Sequence, residues 1–211
     1  MEPHYNEYKH HLDQITTIVK NSGARQEGNI FFIDGDGSLT ELYCGFLPKR
    51  QNLAKLSTQV DAIVEIGFNA GHSALLMLTA NPSLLYRGVD IGSHSYVKPC
   101  SEYLKSQFGN RFDLTIDSSI TVMPNIFDIY PELEGKVIGW VIDGSHEIDF
   151  ASEDLKNVVN LSKVVDTIVM DDTDYRPLRE LVENYVANGQ IDILLDVYDQ
   201  MFCRVKNNIR V

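Results

Sequence analysis

Apolar and polar positions along the chain fall into two regimes that change near residue 60. From there on the pattern is regular. AIVEI (62–66) is an apolar run broken only by Glu65, and such runs mark strands buried on both faces. LYRGVD (85–90), RFDLTI (111–116), VIGWVID (137–143) and VVDTIVMDD (164–172) repeat the signal. Helical spacing fills the intervals, in HSALLMLTA after Gly71, near 95–107, near 120–130, over about 147–161 and over about 175–188. IDILLDVY (191–198) and MFCRVKN (201–207) end the chain as two strands. Their short connection requires antiparallel pairing. Strands alternating with helices predict an α/β fold, a doubly wound, Rossmann-like sheet of seven mostly parallel strands, the last antiparallel.

Residues 1–59 are less regular. A helix is expected over about 5–20, stopped at Asn21-Ser22-Gly23, with a short strand at IFFI (30–33) and a second helix over Pro48–Ser57. No repeat, low-complexity tract or linker rich in Gly, Pro or Ser interrupts the chain. It therefore reads as an extension over 1–59, acting as a lid, followed by one globular unit over 60–211.

Composition narrows the function. The 211 residues suffice for one domain with a large core. A net charge of −12 repels phosphate backbones and argues against nucleic acid as a partner. No apolar run approaches the ~18 residues of a membrane span. The N-terminal MEPHYNEYKHHLDQ lacks the apolar centre of a signal peptide. Cys44, Cys100 and Cys203 are too few and too scattered for a disulfide framework or a thiolate metal site. These features point to a cytoplasmic protein acting on a small molecule. A homo-oligomer is compatible with these features.

Ligands of doubly wound sheets bind beyond the carboxyl ends of the strands. Every one of the first five strands ends at an acid: Glu65 before Gly67, Asp90, Asp117, Asp143, and Asp171 with Asp172. A single such Asp is an ordinary helix cap; five on one rim suggest a polar ligand. In Glu65-Ile66-Gly67-Phe68-Asn69-Ala70-Gly71-His72-Ser73, the glycines permit a tight turn and a close backbone approach. The third glycine of a dinucleotide fingerprint is missing. Glu65 would repel a pyrophosphate but would accept hydrogen bonds from an ammonium group. Asp90, about 25 residues on, stands where a ribose-binding acid belongs.

EIGFNAGHSALLML resembles the first motif of the class I S-adenosylmethionine-dependent methyltransferases, especially the catechol and caffeoyl-CoA O-methyltransferases. The resemblance spans about residues 60–175. It implies that Glu65, Gly67, Gly71 and Ser73 hold the methionine half of the cofactor, with Phe68, Asn69 and His72 in the same loop. Asp90 would bind the ribose, and Asp117, Ser118 and Ser119 would line the adenine. His72 reads more readily as a helix-start residue facing solvent than as a ligand.

Asp143-Gly144-Ser145-His146 and Met170-Asp171-Asp172 end neighbouring strands. Three clustered carboxylates repel one another unless a cation lies between them. Oxygen-only ligands favour Mg²⁺, with Mn²⁺ or Ca²⁺ also permitted. Such an ion can acidify a substrate hydroxyl. His146, three residues past Asp143, is placed to take the proton. The set resembles metal-dependent O-methyltransferases, with Asp143, Asp171 and Asp172 as metal ligands, Asp143 also beside the cofactor, and His146 as base. The catechol enzymes carry Asn and Lys where this chain has Asp172 and His146. Both departures are similar to the macrolide-sugar O-methyltransferases and the cephalosporin hydroxylase-like group.

IFFIDGDGSL (30–39) resembles the nucleophile loop of haloacid-dehalogenase phosphatases, with Asp34 and Asp36 as its acids. That chemistry also needs a Lys and an acidic pair at suitable spacing, and Lys163 lies too close to Asp171. As a calcium loop the stretch fails, because Leu39 and Gly45 fall where Gly and Glu are required. It reads best as a hairpin turn, with residues 30–50 folding over the site and Tyr43, Lys49 or Arg50 near the substrate. A phosphohydrolase using Asp34 and Asp36, or a cofactor-binding protein without catalysis, are the alternatives to a methyltransferase.

Overall fold

In the computed structural model, which describes residues 5–32, 42–197 and 199–206, the apolar runs become strands. They are β1 (Ala62–Ile66), β2 (Leu85–Asp90), β3 (Phe112–Ile116), β4 (Ile138–Ile142), β5 (Thr167–Asp171), β6 (Ile191–Asp196) and β7 (Gln200–Val205). The helices are α1 (Tyr5–Ser22), α2 (Leu47–Ser57), α3 (His72–Ala80), α4 (Val97–Phe108), α5 (Ser119–Val122), α6 (Ile126–Ile129), α7 (Ile148–Leu161) and α8 (Arg176–Ala187). The strands form one sheet in the order β3-β2-β1-β4-β5-β7-β6. β7 runs antiparallel to both β5 and β6, as the tight final connection requires.

Strand position follows composition. β1 and β4, at the centre, are buried at every residue. β6 lies at an edge, and only Ile191 of its six residues is buried. Helices cover both faces. Tyr8, Leu12, Ile15 and Val19 recur at helical spacing along α1 and join α2, α3 and α4 in one apolar cluster. The other face buries Val122, Ile126, Leu155, Val158, Leu178 and Val182 from α5 through α8. Each buried aliphatic side chain contributes about 1.5–3 kcal/mol relative to exposure. The N-terminal helices therefore belong to the same core as the sheet.

Three segments differ from the expectation. Ile30, Phe31 and Phe32 form bends, not a strand. Their burial comes from packing, with the Phe31 ring centroid 5.2 Å from that of Tyr8. The helix expected near 120–130 is split by a 3₁₀ turn over Met123–Asn125, where Pro124 lacks an N–H to continue an α-helix. Val164 and Val165 are exposed and precede β5. The buried Asp166 carboxylate instead ties this loop to β4, accepting hydrogen bonds from Ile138 N, Trp140 Nε1 and Lys163 N. The Asp34-Gly35-Asp36-Gly37 turn lies outside the described residues. Among the described residues no helix is long and apolar enough to cross a membrane.

The strand order reverses between β1 and β4. Successive crossovers from β1 build outward to β3, whereas β4 returns to the other side of β1. The loops leaving β1 and β4 thus diverge over a crevice, the position where such sheets bind ligands.

Candidate active site

Gly67 leaves β1 with φ +95°, and a Cβ there would lie 1.9 Å from the Asp143 carbonyl oxygen. Only glycine permits this approach of the two loops. Asn69 adopts φ 53°, which points its N–H at Asp90 Oδ2, 2.8 Å away. Gly92 N–H donates to Asp90 Oδ1 at 2.7 Å. Two backbone donors thus fix the Asp90 carboxylate at the end of β2. A cavity of about 620 Å³ opens here, lined by Gly67, Asn69, Asp90, Asp117, Ser118, Ser119 and Asp143.

Glu65 is fully buried behind this loop. Its Oε2 accepts hydrogen bonds from Ser73 Oγ, at 2.8 Å, and from the Tyr86 hydroxyl. Its Oε1 is buried with no hydrogen-bond partner. Burial raises the carboxyl to about 7, against the opposing pull of these two donors.

A second cavity of about 490 Å³ adjoins the first and shares Gly67, Asn69 and Asp143 with it. Phe46 and Lys49 wall it on the N-terminal side, His72 and Ser73 at the start of α3, and His146, Asp172 and Tyr175 opposite. At its base, Asp143, Asp171 and Asp172 each offer a carboxylate oxygen, all within 4.8 Å of one another. Asp172 is held at φ 51°, a left-handed conformation that Asp tolerates better than most residues. His146 Nε2 lies 2.8 Å from Asp172 Oδ2. Lys49 Nζ lies 2.6 Å from Asp171 Oδ2 and 3.6 Å from Asp172 Oδ1.

The electrostatics follow from this packing. Burial, reinforced by the neighbouring Asp171, pushes the Asp143 carboxyl well above the usual range, and Lys49 opposes the shift. Asp171 is also raised by burial, with Lys49 again opposing. Burial works against the Lys49 charge, but Asp171, Asp143 and Asp172 outweigh it and hold the ammonium protonated. The donor set fits a hard divalent cation, because all three ligands are oxygens. Asp171 Oδ1, buried and without a hydrogen-bond partner, supports that fit.

By sequence, no family model and no curated protein matches the chain. Solved structures do match. An O-methyltransferase from Bacillus cereus in complex with SAH superposes with a TM-score of 0.66, at 13% identity over 92% of this chain and 90% of that one. A TDP-rhamnose 3'-O-methyltransferase of calicheamicin biosynthesis gives 0.62 at 14% identity, over 94% of each chain. A methyltransferase of the mycinamycin pathway, in complex with Mg and SAH, gives 0.58 at 14% identity, over 93% of this chain and 55% of that one. The chain has the class I methyltransferase fold.

Within that fold, Gly67, Asn69, Asp90, Asp117, Ser118, Ser119 and Asp143 line one cavity. Phe68, His72 and Ser73 border the second cavity instead. Gly71 caps α3 at φ +80° and borders neither cavity. His72 does not face solvent: it is buried, its ring edge-on to Phe31 and Phe32, and burial lowers its imidazole to about 4. Of the three lid residues expected near substrate, Lys49 lines the second cavity, and Tyr43 and Arg50 line neither of the two. Arg50 clamps the chain by donating to the carbonyls of Ile30 and Tyr43. Tyr43 packs against Phe46 and is partly exposed. Asp34 and Asp36 lie outside the described residues.

Two features escaped the sequence reading. Asp154 of α7 is buried at the first cavity with Oδ1 unpartnered. Its signal was available, since it falls among Ala151, Leu155 and Val158 on the apolar face of α7. The contact between Glu27 Oε2 and His94 Nε2, 3.2 Å, brings the N-terminal segment to the same cavity. Nothing in local sequence announces a contact between residues so far apart.

Proposed function

We propose that this protein is an enzyme that transfers a methyl group from S-adenosylmethionine to a hydroxyl oxygen of a small molecule, of sugar, polyol or catechol type. The observation that carries this reading is the meeting of two cavities at Gly67, Asn69 and Asp143, with Asp172 and His146 lining the second cavity and Asp171 within 4.8 Å of both other carboxylates. A cofactor in the first cavity and an acceptor in the second are then held face to face, which supplies proximity. The second cavity is of ordinary small-ligand size. The solved O-methyltransferases of the same fold support the choice of reaction.

The chain's own groups have defined tasks in this reading. Asp90, oriented by two backbone amides, accepts hydrogen bonds from ribose hydroxyls. Glu65 Oε1 accepts from the ammonium of the methionine half. S-adenosylmethionine supplies an electrophilic methyl carbon whose leaving group is a neutral thioether. The acceptor hydroxyl loses its proton to His146, whose ring is oriented by Asp172. Asp143, Asp171 and Asp172 would hold Mg²⁺ or a similar ion. Such an ion would bind the acceptor oxygen and lower its pKa.

Calorimetric titration with S-adenosylmethionine, in Mg²⁺ and then in EDTA, tests the reading. Micromolar binding to the wild type, weakened at least about tenfold in Asp90→Ala, is the expected result. No binding in either buffer would refute it.

A further inference from the structure

We infer that Lys49 is the resident cation of the carboxylate triad, and that a divalent ion binds the triad in competition with its ammonium group. The inference rests on reading the triad as the acceptor site, and it addresses what neutralises that site.

Lys49 comes from α2, outside the strand-and-helix repeat, yet its side chain is 9% exposed. A lysine ordinarily keeps its ammonium in water. Here Nζ is 2.6 Å from Asp171 Oδ2 and 3.6 Å from Asp172 Oδ1. Those two residues, with Asp143, make up the cation-binding cluster. His146 lies on the far oxygen of Asp172, on the more exposed side. The buried side of the triad is therefore met by Lys49. An ion bound to Asp171 sits about 2.1–2.6 Å from a carboxylate oxygen. That places it within a few ångströms of Nζ, where like charges repel strongly inside a protein.

Displacement is mechanically feasible. α2 itself is fixed, because Leu53, Ala54 and Leu56 are buried in the core and Arg50 is bonded to two carbonyls. The Lys49 side chain, by contrast, borders the open second cavity and has four rotatable methylenes with which to swing into it. Lys49 thus neutralises the triad when metal is scarce, and its charge sets how much metal is needed to replace it.

The test is Mn²⁺ binding to the full chain, followed by calorimetry and by the electron paramagnetic resonance signal of free Mn²⁺. Lys49→Met should bind Mn²⁺ at least about tenfold more tightly than wild type. Lys49→Arg, which keeps the charge, should bind no more tightly than wild type. Asp171→Asn should bind more weakly than either. Lys55→Met, which removes a charge elsewhere on α2, serves as the control and should match wild type. Circular dichroism shows which variants are folded, and Lys49→Gln replaces Lys49→Met if the latter is not. Mn²⁺ affinity in the folded uncharged variant equal to or below that of wild type would overturn the inference. S-adenosylmethionine titration of the same samples keeps the two readings apart. Absent cofactor binding refutes methyl transfer, whereas the Mn²⁺ comparison alone decides the role of Lys49.

Discussion

His146 Nε2 lies 2.8 Å from Asp172 Oδ2, joining the loop after β4 to the loop after β5. The contact fixes the imidazole while leaving it half exposed to the second cavity. His146→Ala should therefore lower methyl transfer about 10²–10⁴-fold, the usual contribution of a positioned acid–base group. Cofactor affinity should stay at the wild-type value, since His146 does not line the first cavity. Single-turnover rates and calorimetric titration on the same preparation separate the two quantities. An unchanged rate removes His146 as the base.

The approach of Gly67 to Asp143 makes a second expectation sharp. In Gly67→Ala the added Cβ would meet the Asp143 carbonyl at 1.9 Å, on a backbone with φ +95°. Backbone clash and strain together should destabilise the fold by about 2 kcal/mol or more and abolish cofactor binding. Gly109→Ala is the comparison, because Gly109 has φ +58° but nothing within 4 Å of the new Cβ. It should destabilise by about 1 kcal/mol and leave binding intact. Chemical denaturation and titration of both variants check the pair. Equal losses in the two would mean that φ alone matters and the β1–β4 loop contact does not.

How much of this was legible depends on whether the signal was local. β1 and β4 were readable because strands buried on both faces must be apolar throughout. The rim acids were readable because strand ends and ligand sites coincide in doubly wound sheets. IFFI misled because an apolar run reports burial, which Phe31 finds against Tyr8 without pairing into the sheet. The helix near 120–130 is interrupted because Pro124 lacks the N–H that the apolar spacing of its neighbours leaves out of account. Lys49 could be named as a lid residue, but its contact with Asp171 spans more than a hundred residues. Such a contact exists only once α2 has packed on α3. The burial of His72 is hidden from a local reading for the same reason: it is supplied by Phe31 and Phe32, remote in sequence.

The buried His72 gives a pH dependence of stability. Its imidazole falls from the ordinary 6.5 to about 4 because burial disfavours the charged form. Between those values the unfolded chain binds a proton that the folded chain does not. Its contribution is therefore complete above about pH 6.5 and is lost as pH drops toward about 4. By linkage the loss is about 3 kcal/mol. His72→Leu should remove that slope. Urea unfolding at several pH values measures the difference between wild type and variant, which isolates His72 from other titrating groups. A wild-type slope that persists in the variant would show that His72 is not its source.

Glu65 titrates in the opposite sense and should be read out through the cofactor. Its carboxyl is raised from 4.5 to about 7 by burial, so below that pH the folded, ligand-free protein holds it protonated. A protonated carboxyl cannot offer Oε1 as an ionic acceptor to an ammonium group. Binding below pH 7 must then expel a proton, and affinity rises with pH by up to about tenfold per unit, levelling off above about 7. Glu65→Gln keeps the shape, lacks the titration and should show weak binding with a flat profile. The amine of the ligand titrates equally against both proteins, so their difference reports Glu65 alone. Calorimetric titration between about pH 5.5 and 7.5 measures it. If Glu65→Gln keeps the wild-type slope, the ammonium group is held elsewhere, and the unpartnered Oε1 has a different purpose.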